Sequence, residues 1–309
     1  MLEICVQSDP WYKESDPEWS FRYIHDCGFE AIDYNIDDFM SYSDLKAGNW
    51  NGFFSQTIEE LQELYRPAKE AAKRHNVRFS LMHAPFPLYI ENREDINDYL
   101  IMSVDKCCAL CQFLECPALV VHPYTHPDKE TEKEINLQMY RRMMPSAKRY
   151  GVTLCLENMF EKKNGHFIEA SCADVAEVCW YIDTLNEEAG EEIFGFCLDI
   201  GHANMLGRNL LHYIKGLGKR LTTLHIHDNT GDADAHLIPY TQNVPGGGVD
   251  WNGFIEGLRE IGYEGPLSFE TFRGIRILPD EVKTDGLRLV SSIGRYFRKR
   301  ISEVSQASL

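Results

Sequence analysis

The sequence predicts an α/β protein, a (β/α)8 TIM barrel, on three observations. Eight short stretches rich in apolar and β-branched residues read as strands, and each is followed by helix-forming sequence. Several of these strands are apolar on both faces, as parallel strands covered by helices must be. Six consecutive strands, the third to the eighth, end in His, Glu or Asp, where barrels of this kind assemble their chemistry. Right-handed crossovers close such a series into a barrel. The competing architecture, an open doubly wound sheet, lacks a G-x-G-x-x-G after the first strand. No Pro/Gly/Ser linker, low-complexity segment or repeat beyond the βα alternation divides residues 1–309, so one domain is expected.

In chain order, Leu2–Gln7 reads as the first strand and Pro17–Cys27 as a helix, with Asp16 as its N-cap and Gly28 just past its end. Phe29–Tyr34 is the second strand. Ile36–Gln56, rich in Asp, Ser, Asn, Gly and aromatics, is too long for an ordinary connection. It reads equally as a wall over a site or as a loop packed by its own aromatics. From Thr57 to His75 the apolar residues Ile58, Leu61, Leu64, Tyr65 and Ala68 keep a helical period. Strand Val77–His83, a helix over Glu94–Leu114, strand Ala118–His122, a helix over Lys133–Tyr150 and strand Thr153–Glu157 follow. Then come a helix over Cys172–Ala189, strand Phe194–Asp199, a short helix over Leu210–Leu217 and strand Leu221–Asp228. A helix over Trp251–Ile261, strand Pro266–Glu270 and a helix over Glu281–Lys299 end the series.

Composition narrows the functions. The formal charge of −17 would repel a phosphate backbone, and no basic stripe offsets it, so nucleic acid is a disfavoured partner. No stretch has the roughly 20 apolar residues of a membrane helix, and Met1–Val6 lacks the pattern of a secretory signal. The ten cysteines are scattered without a zinc-ribbon spacing, which fits reduced thiols in a cytoplasm.

The strand ends read His83, His122, Glu157, Asp199, His225 and Glu270. Alternation puts Thr153, Cys155 and Glu157 on one face of their strand, Gly195, Cys197 and Asp199 on one face of theirs, and Ser268 with Glu270. Leu154, Leu156, Phe196, Leu198, Leu267 and Phe269 then face the helices. His225 and His227 likewise share a face. Carboxylates converging at a barrel mouth repel one another and draw protons unless a cation joins them. A structural ion-pair network would need Arg or Lys at neighbouring strand ends, and the nearest, Lys162, Lys163, Arg273 and Arg276, read as loop residues. Imidazole with carboxylate suits manganese, zinc, cobalt or iron better than calcium. His202 follows Asp199 by three residues, which puts it in a first helical turn, and Asp234-Ala-His236 adds a further pair. Pro245-Gly-Gly-Gly reads first as a plain turn. His25, His75, His126, His166 and His212 read as surface or capping groups.

The phrases H-A-P-F at His83, V-V-H-P at His122, L-E-N at Glu157, L-D-I-G-H at Asp199–His202, H-I-H-D at His225, D-A-H at Asp234–His236, P-G-G-G-V-D-W and G-Y-E-G-P-L-S-F-E ending at Glu270 resemble the xylose isomerase-like barrel superfamily. The resemblance runs nearly the whole chain and identifies the superfamily far better than the substrate. It holds sugar isomerases and epimerases, inosose dehydratases and the family-2 apurinic endonucleases. By likeness to ketose 3-epimerases, Glu157, Asp199, His225 and Glu270 would hold one divalent metal (manganese, zinc, cobalt or magnesium), with additional zinc ions left open. Glu157 and Glu270 would be the acid/base pair, and His202 would contact substrate. Lys163 stands where those enzymes have a second Glu, and the Asn229–His236 stretch replaces their Arg, which puts C3 epimerisation itself in doubt. By likeness to the endonucleases, His83, His122, Glu157, Asp199, His202, His225, Asp234, His236 and Glu270 would hold three zinc ions.

The resemblance therefore implies a sugar isomerase or epimerase of a small carbohydrate or polyol, working by proton transfer through a metal-stabilised enediolate. His83, His122, His202 and His236 would hold substrate hydroxyls or a second metal, and Trp11, Phe86 and Ile36–Gln56 would supply an apolar wall. An inosose-type dehydratase and a phosphodiester hydrolase are the alternatives, and a non-catalytic sugar- or protein-binding barrel is a third. Barrels of this group often pair, so a homo-oligomer is an expectation of the likeness alone.

Overall fold

The computed structural model describes residues 2–50, 52–242 and 248–303. Strands β1 (Ile4–Gln7), β2 (Ala31–Asn35), β3 (Arg78–His83), β4 (Ala118–Val121), β5 (Thr153–Glu157), β8 (Phe194–Asp199), β9 (Leu221–Ile226) and β10 (Leu267–Phe269) close into a barrel. Two more, β6 (Phe160–Lys163) and β7 (His166–Glu169), form an antiparallel hairpin outside it. The barrel order is β1-β10-β9-β8-β5-β4-β3-β2, and neighbouring strands in it are parallel. This is the predicted (β/α)8 architecture.

Each strand is short because its job ends where the barrel wall ends. Leu81, Ala118, Val120, Cys155 and Cys197 form a small inner cluster. Leu154, Leu156, Phe196, Leu198, Leu267 and Phe269 face outward into the large core under the helices. The inner side chains are small because the barrel lumen is narrow, while the outer ones are bulky and fill the layer between sheet and helices.

Most of the helices start where the sequence supplies a side-chain acceptor for their free N–H groups. Asp16 Oδ1 accepts from Trp19 N at 3.0 Å and opens helix Pro17–Asp26. Thr57 and Glu60 form a reciprocal capping box, with bonds of 3.2 and 2.8 Å, at the head of helix Ile58–His75. That helix buries Leu61, Tyr65, Ala68, Ala71 and Ala72, whereas Leu64, on the edge of the same apolar period, is 55 % exposed. Asn76, at φ 53°, closes it in the left-handed conformation that Asn tolerates better than most residues. Two predicted starts move to the nearest cap. The sixth-strand crossover helix begins at Val175, capped by Asp174, and the helix before β5 begins at Lys129, capped by Asp128.

Two connections hold more regular structure than their sequence reading gives them. Residues 36–56 hold a short 3-10 turn, Asp37–Phe39, and two short helices, Tyr42–Ala47 and Gly52–Ser55. They pack on their own aromatics, with Phe39 and Phe53 stacked at 4.1 Å, and Lys106 Nζ ties the segment down by donating to Phe54 O and Gln56 O at 2.6 Å each. The β6–β7 hairpin was not anticipated, although its turn residues Asn164 (φ 52°) and Gly165 (φ 82°) are the usual pair for a two-residue hairpin turn. Lys162 and Lys163 therefore lie on a hairpin strand, while Arg273 and Arg276 lie on the short helix Phe272–Arg276. Residues 245–247 of the glycine motif fall outside the described residues.

Candidate metal centre

The carboxyl ends of β2, β3, β4, β5, β8, β9 and β10, with the residues just beyond them, converge on one rim. Backbone register sets the heights: Glu157 lies beside Cys197, Asp199 beside His225, and Ser268 beside His225. Asn158 clamps two strand ends together, accepting from Asp199 N at 2.8 Å and donating to Asp199 O at 2.9 Å. Asp199 is also the N-cap of helix Ile200–Met205, accepting from His202 N at 2.7 Å. This cap places His202 in the first turn, as its spacing predicts, and the ring lies with Nδ1 2.8 Å from Asn158 O.

The rim has two lobes. In one, His122 Nε2 is 3.0 Å from both His83 Nε2 and Glu157 Oε2, and His83 Nε2 is 3.6 Å from the same carboxylate oxygen. His225 Nδ1 lies 3.5 Å from Glu157 and 3.8 Å from Glu270, and its Nε2 lies 3.4 Å from Asp33. In the other lobe, His227 Nε2 is 3.2 Å from both Asp199 oxygens and 3.6 Å from Asp234, while His236 Nε2 is 3.0 Å from Asp234. The His227 and His236 rings stack at 4.1 Å. Gly201 makes room for this lobe, since a Cβ there would occupy the position of the His227 ring.

The arrangement is short of cations. Among the described residues, no Arg or Lys pairs with the side chains of Asp33, Glu157, Asp199, Asp234 or Glu270, and their charged neighbours are imidazoles. Burial raises the Glu157 carboxyl, but His225 and His122 outweigh it and hold the group well below the usual carboxylate range. Asp199 follows the same pattern: burial pushes it up and His202 and His227 pull it down further. Glu270 goes the other way, because burial prevails over His225 and His236 and leaves it above the ordinary value. Burial lowers the His83 and His227 imidazoles, but the carboxylates Glu157 and Asp199 override it and take each up to about 9. His122 is lowered, chiefly by burial.

These groups fit a divalent ion. Both His225 nitrogens, Asp33 Oδ1 and Asp234 Oδ1 are buried with no well-aligned hydrogen bond, a costly state for polar atoms unless another partner joins them. Sets whose donor atoms lie within 4.8 Å of one another include His83, His122 and Glu157; Asp33, His225 and Glu270; Glu157, Asp199 and His202; and His227, Asp234 and His236. Nitrogen and oxygen donors in this mixture suit zinc or manganese.

The structure thus brings Glu157, Asp199, His225, Glu270, His83, His122, His202 and His236 to one rim. It adds Asp33, to which the sequence reading gave no role, and His227, which that reading placed on one face with His225 without assigning it as a ligand. Asp33 lies within β2, between Ala31 and Asn35, and accepts from Ser268 Oγ at 3.0 Å; its place two residues after Ala31 was the available signal. His227 extends the inward row of β9, two residues past His225. The Asp199 carboxylate faces His227. Of the expected wall, Phe86 is 46 % exposed beside the rim, whereas Trp11, 6 % exposed, is part of the core.

The profile of the xylose isomerase-like TIM barrel family matches residues 21–291, and the chain belongs to that family. An uncharacterised protein, y4fM, of Sinorhizobium fredii is 25 % identical over 278 residues, covering 84 % of this chain and 82 % of its own. An inosose isomerase of Bacillus velezensis is 23 % identical over 308 residues, covering 96 % of this chain and 99 % of its own. Among solved structures, a D-tagatose 3-epimerase-like protein superposes with a TM-score of 0.69 at 20 % identity, over 97 % of this chain and 100 % of its own. A 3-keto-D-glucoside 4-epimerase from E. coli gives 0.69 at 16 % identity, over 96 % and 100 %. The IOLI protein with a bound zinc atom gives 0.68 at 17 % identity, over 97 % and 98 %. At these identities the structural likeness speaks for the fold.

Proposed function

We propose that this chain is a divalent-metal-dependent isomerase or epimerase of a small carbohydrate or polyol, with Glu157, Asp199, His225 and Glu270 holding one ion of manganese, zinc, cobalt or magnesium. One observation carries the reading: Glu157 and Glu270 approach His225 Nδ1 from two strands, at 3.5 and 3.8 Å, with no Arg or Lys paired to either among the described residues. The family and the inosose isomerase and sugar epimerase relatives support it. The unpaired cysteines, buried except for Cys179, fit a reducing compartment such as the cytoplasm. No helix of the described residues is long and apolar enough to cross a membrane.

A divalent ion bound there would polarise a carbonyl and its neighbouring hydroxyl, acidifying the C–H between them. Glu157, kept ionised by its imidazoles, is the group suited to take that proton. Glu270, raised by burial, is suited to hold a proton and return it. His83, His122 and His202 stand beside Glu157 and His236 beside Glu270, and these four would orient substrate hydroxyls. Incubating the manganese-loaded protein with ketoses, aldoses and inososes in deuterium oxide tests the reading. Deuterium should enter the carbon beside the carbonyl, and its absence across the panel would remove the proposal.

A second reading has one specific observation in its favour: the nine residue types of a trinuclear zinc hydrolase, His83, His122, Glu157, Asp199, His202, His225, Asp234, His236 and Glu270, all reach this rim. Three tightly bound zinc ions per chain, with cleavage of abasic DNA, would favour it. The net charge of −17 and the absence of a basic stripe weigh against it. If deuterium entry is accompanied by loss of a β-hydroxyl, the enzyme is a dehydratase of the inosose type.

A further inference from the structure

A cleft of about 750 Å³ opens beside the rim, walled by helix Tyr42–Ala47 and the segments that follow β3, β4 and β5. Its surface is dominated by the rings of Tyr42, Phe86, Tyr89, Tyr124 and Phe160. Two of these also touch the metal-centre imidazoles. Phe86 meets His122 edge-on at 4.7 Å, and Phe160 meets His202 at 4.8 Å. The cleft thus shares two walls with the candidate reaction centre, and none of the proposed metal ligands lines it. Tyr89 and Tyr124 set a corner at 4.9 Å and 64°, while Tyr42 and Phe86 stay 48 % and 46 % exposed. Aromatic surface left open to water beside a reaction centre is costly unless something covers it.

Resting on the isomerase reading above, we infer that the substrate is an uncharged glycoside: a keto sugar at the metal centre joined to a second sugar ring that lies in this aromatic cleft. Size is the first argument. The cleft alone falls within the roughly 300–1,000 Å³ of pockets that enclose drug-sized ligands, more than one small sugar needs once its reacting end sits at the rim. Charge is the second. The cleft holds one lysine, Lys46, whose Nζ sits 4.6 Å over the Tyr42 ring, against the carboxylates Glu91 and Glu161. A phosphorylated sugar would set its charge against those carboxylates, whereas the hydroxyls of a neutral ring would donate to them. Chemistry is the third. The apolar C–H face of a pyranose lies flat on aromatic rings, while its edge presents hydroxyls to the two acids. A purely apolar group would use the rings alone.

Two matched series of probes test this with the manganese-loaded protein. One comprises 3-keto-D-glucose, its phenyl and glucosyl β-glycosides and its 6-phosphate; the other comprises D-fructose, its 4-O- and 6-O-glucosyl derivatives and its 6-phosphate. Solvent deuterium incorporation gives kcat/KM for each. In whichever series exchanges, the glucosylated member should exceed the free sugar by about 10-fold or more, mainly through KM, and the phosphate should fall below it. Tyr89→Ala and Tyr124→Ala should each shrink that ratio severalfold, and the wild-type ratio stands even where a variant folds poorly. Equal or better exchange by the free sugar, the phosphate or the phenyl glycoside would overturn the inference and leave the isomerase reading intact. No exchange by any probe would overturn this inference, and the isomerase reading would then stand or fall on the wider panel of ketoses, aldoses and inososes.

Discussion

The two ends of the barrel carry acids in opposite company. At the amino end, Glu3 is 3.1 Å from Arg78 and accepts from Ser80 Oγ at 2.6 Å, and Glu30 is 2.7 Å from Arg298. Those carboxylates have permanent cations, and they line or border a polar cavity of about 580 Å³. At the carboxyl end, Glu157, Asp199 and Glu270 face imidazoles. An arginine's charge is fixed; an imidazole's is a proton that can be given up when a metal ion arrives. The same residue type thus builds structure at one end and leaves an exchangeable positive charge at the other.

The contrast is breakable by experiment. Glu157→Gln and Glu270→Gln should each lower kcat by about 10²–10⁴-fold with the circular dichroism spectrum unchanged, measured by deuterium exchange. Near-native activity in either would assign the proton transfer elsewhere. Chelation should lower the melting temperature, and adding manganese or zinc at about 100 times its Kd should restore roughly 2.7 kcal/mol of stability, read by calorimetry. A protein indifferent to both would undo the cation argument at the carboxyl end.

Proton release sharpens it further. His83 and His227, each taken up to about 9 by neighbouring carboxylates, are protonated at pH 7, and a divalent ion drawing on Glu157 and Asp199 would repel that charge and favour release of the proton. Metal affinity should therefore rise with pH up to about 9, by about tenfold per unit for each proton displaced. Calorimetry in buffers of different ionisation enthalpy should detect the released protons, and a pH-independent affinity would contradict the picture. The smallest effect belongs to the other end: Glu3→Gln should cost under about 1 kcal/mol, because Arg78 is largely exposed, and leave metal content and exchange untouched.

How much of this was legible in the sequence follows from what each signal depends on. Strand alternation located Glu157, Asp199, His225 and Glu270, because a period of two fixes which face a side chain takes once the strand is known. His202 was legible for a local reason, being three residues beyond an N-cap. Asp33 was not, since its role comes from His225 on a strand distant in sequence. The His227 ring found Asp199 for a similar reason, through a packing that depends on Gly201. The β6–β7 hairpin was missed although Asn164-Gly165 marks it, because F-E-K-K carries no apolar alternation to suggest a strand. The aromatic cleft was half legible: Phe86 and the Ile36–Gln56 segment were singled out, but their meeting with Tyr124 and Phe160 is a property of three separate loops.

Gly201 has one more implication. One side of the His227 imidazole is backed by main chain, and main chain neither changes rotamer nor mutates in shape while the turn persists. The ring's freedom is thus removed on that flank, and any adjustment of the Asp199–Asp234 lobe to a different ion or sugar must come from the loop carrying Asp234 and His236. Position 201 is the mould and that loop is the adjustable part, so changes in the identity of what this rim holds should be sought between Asn229 and His236.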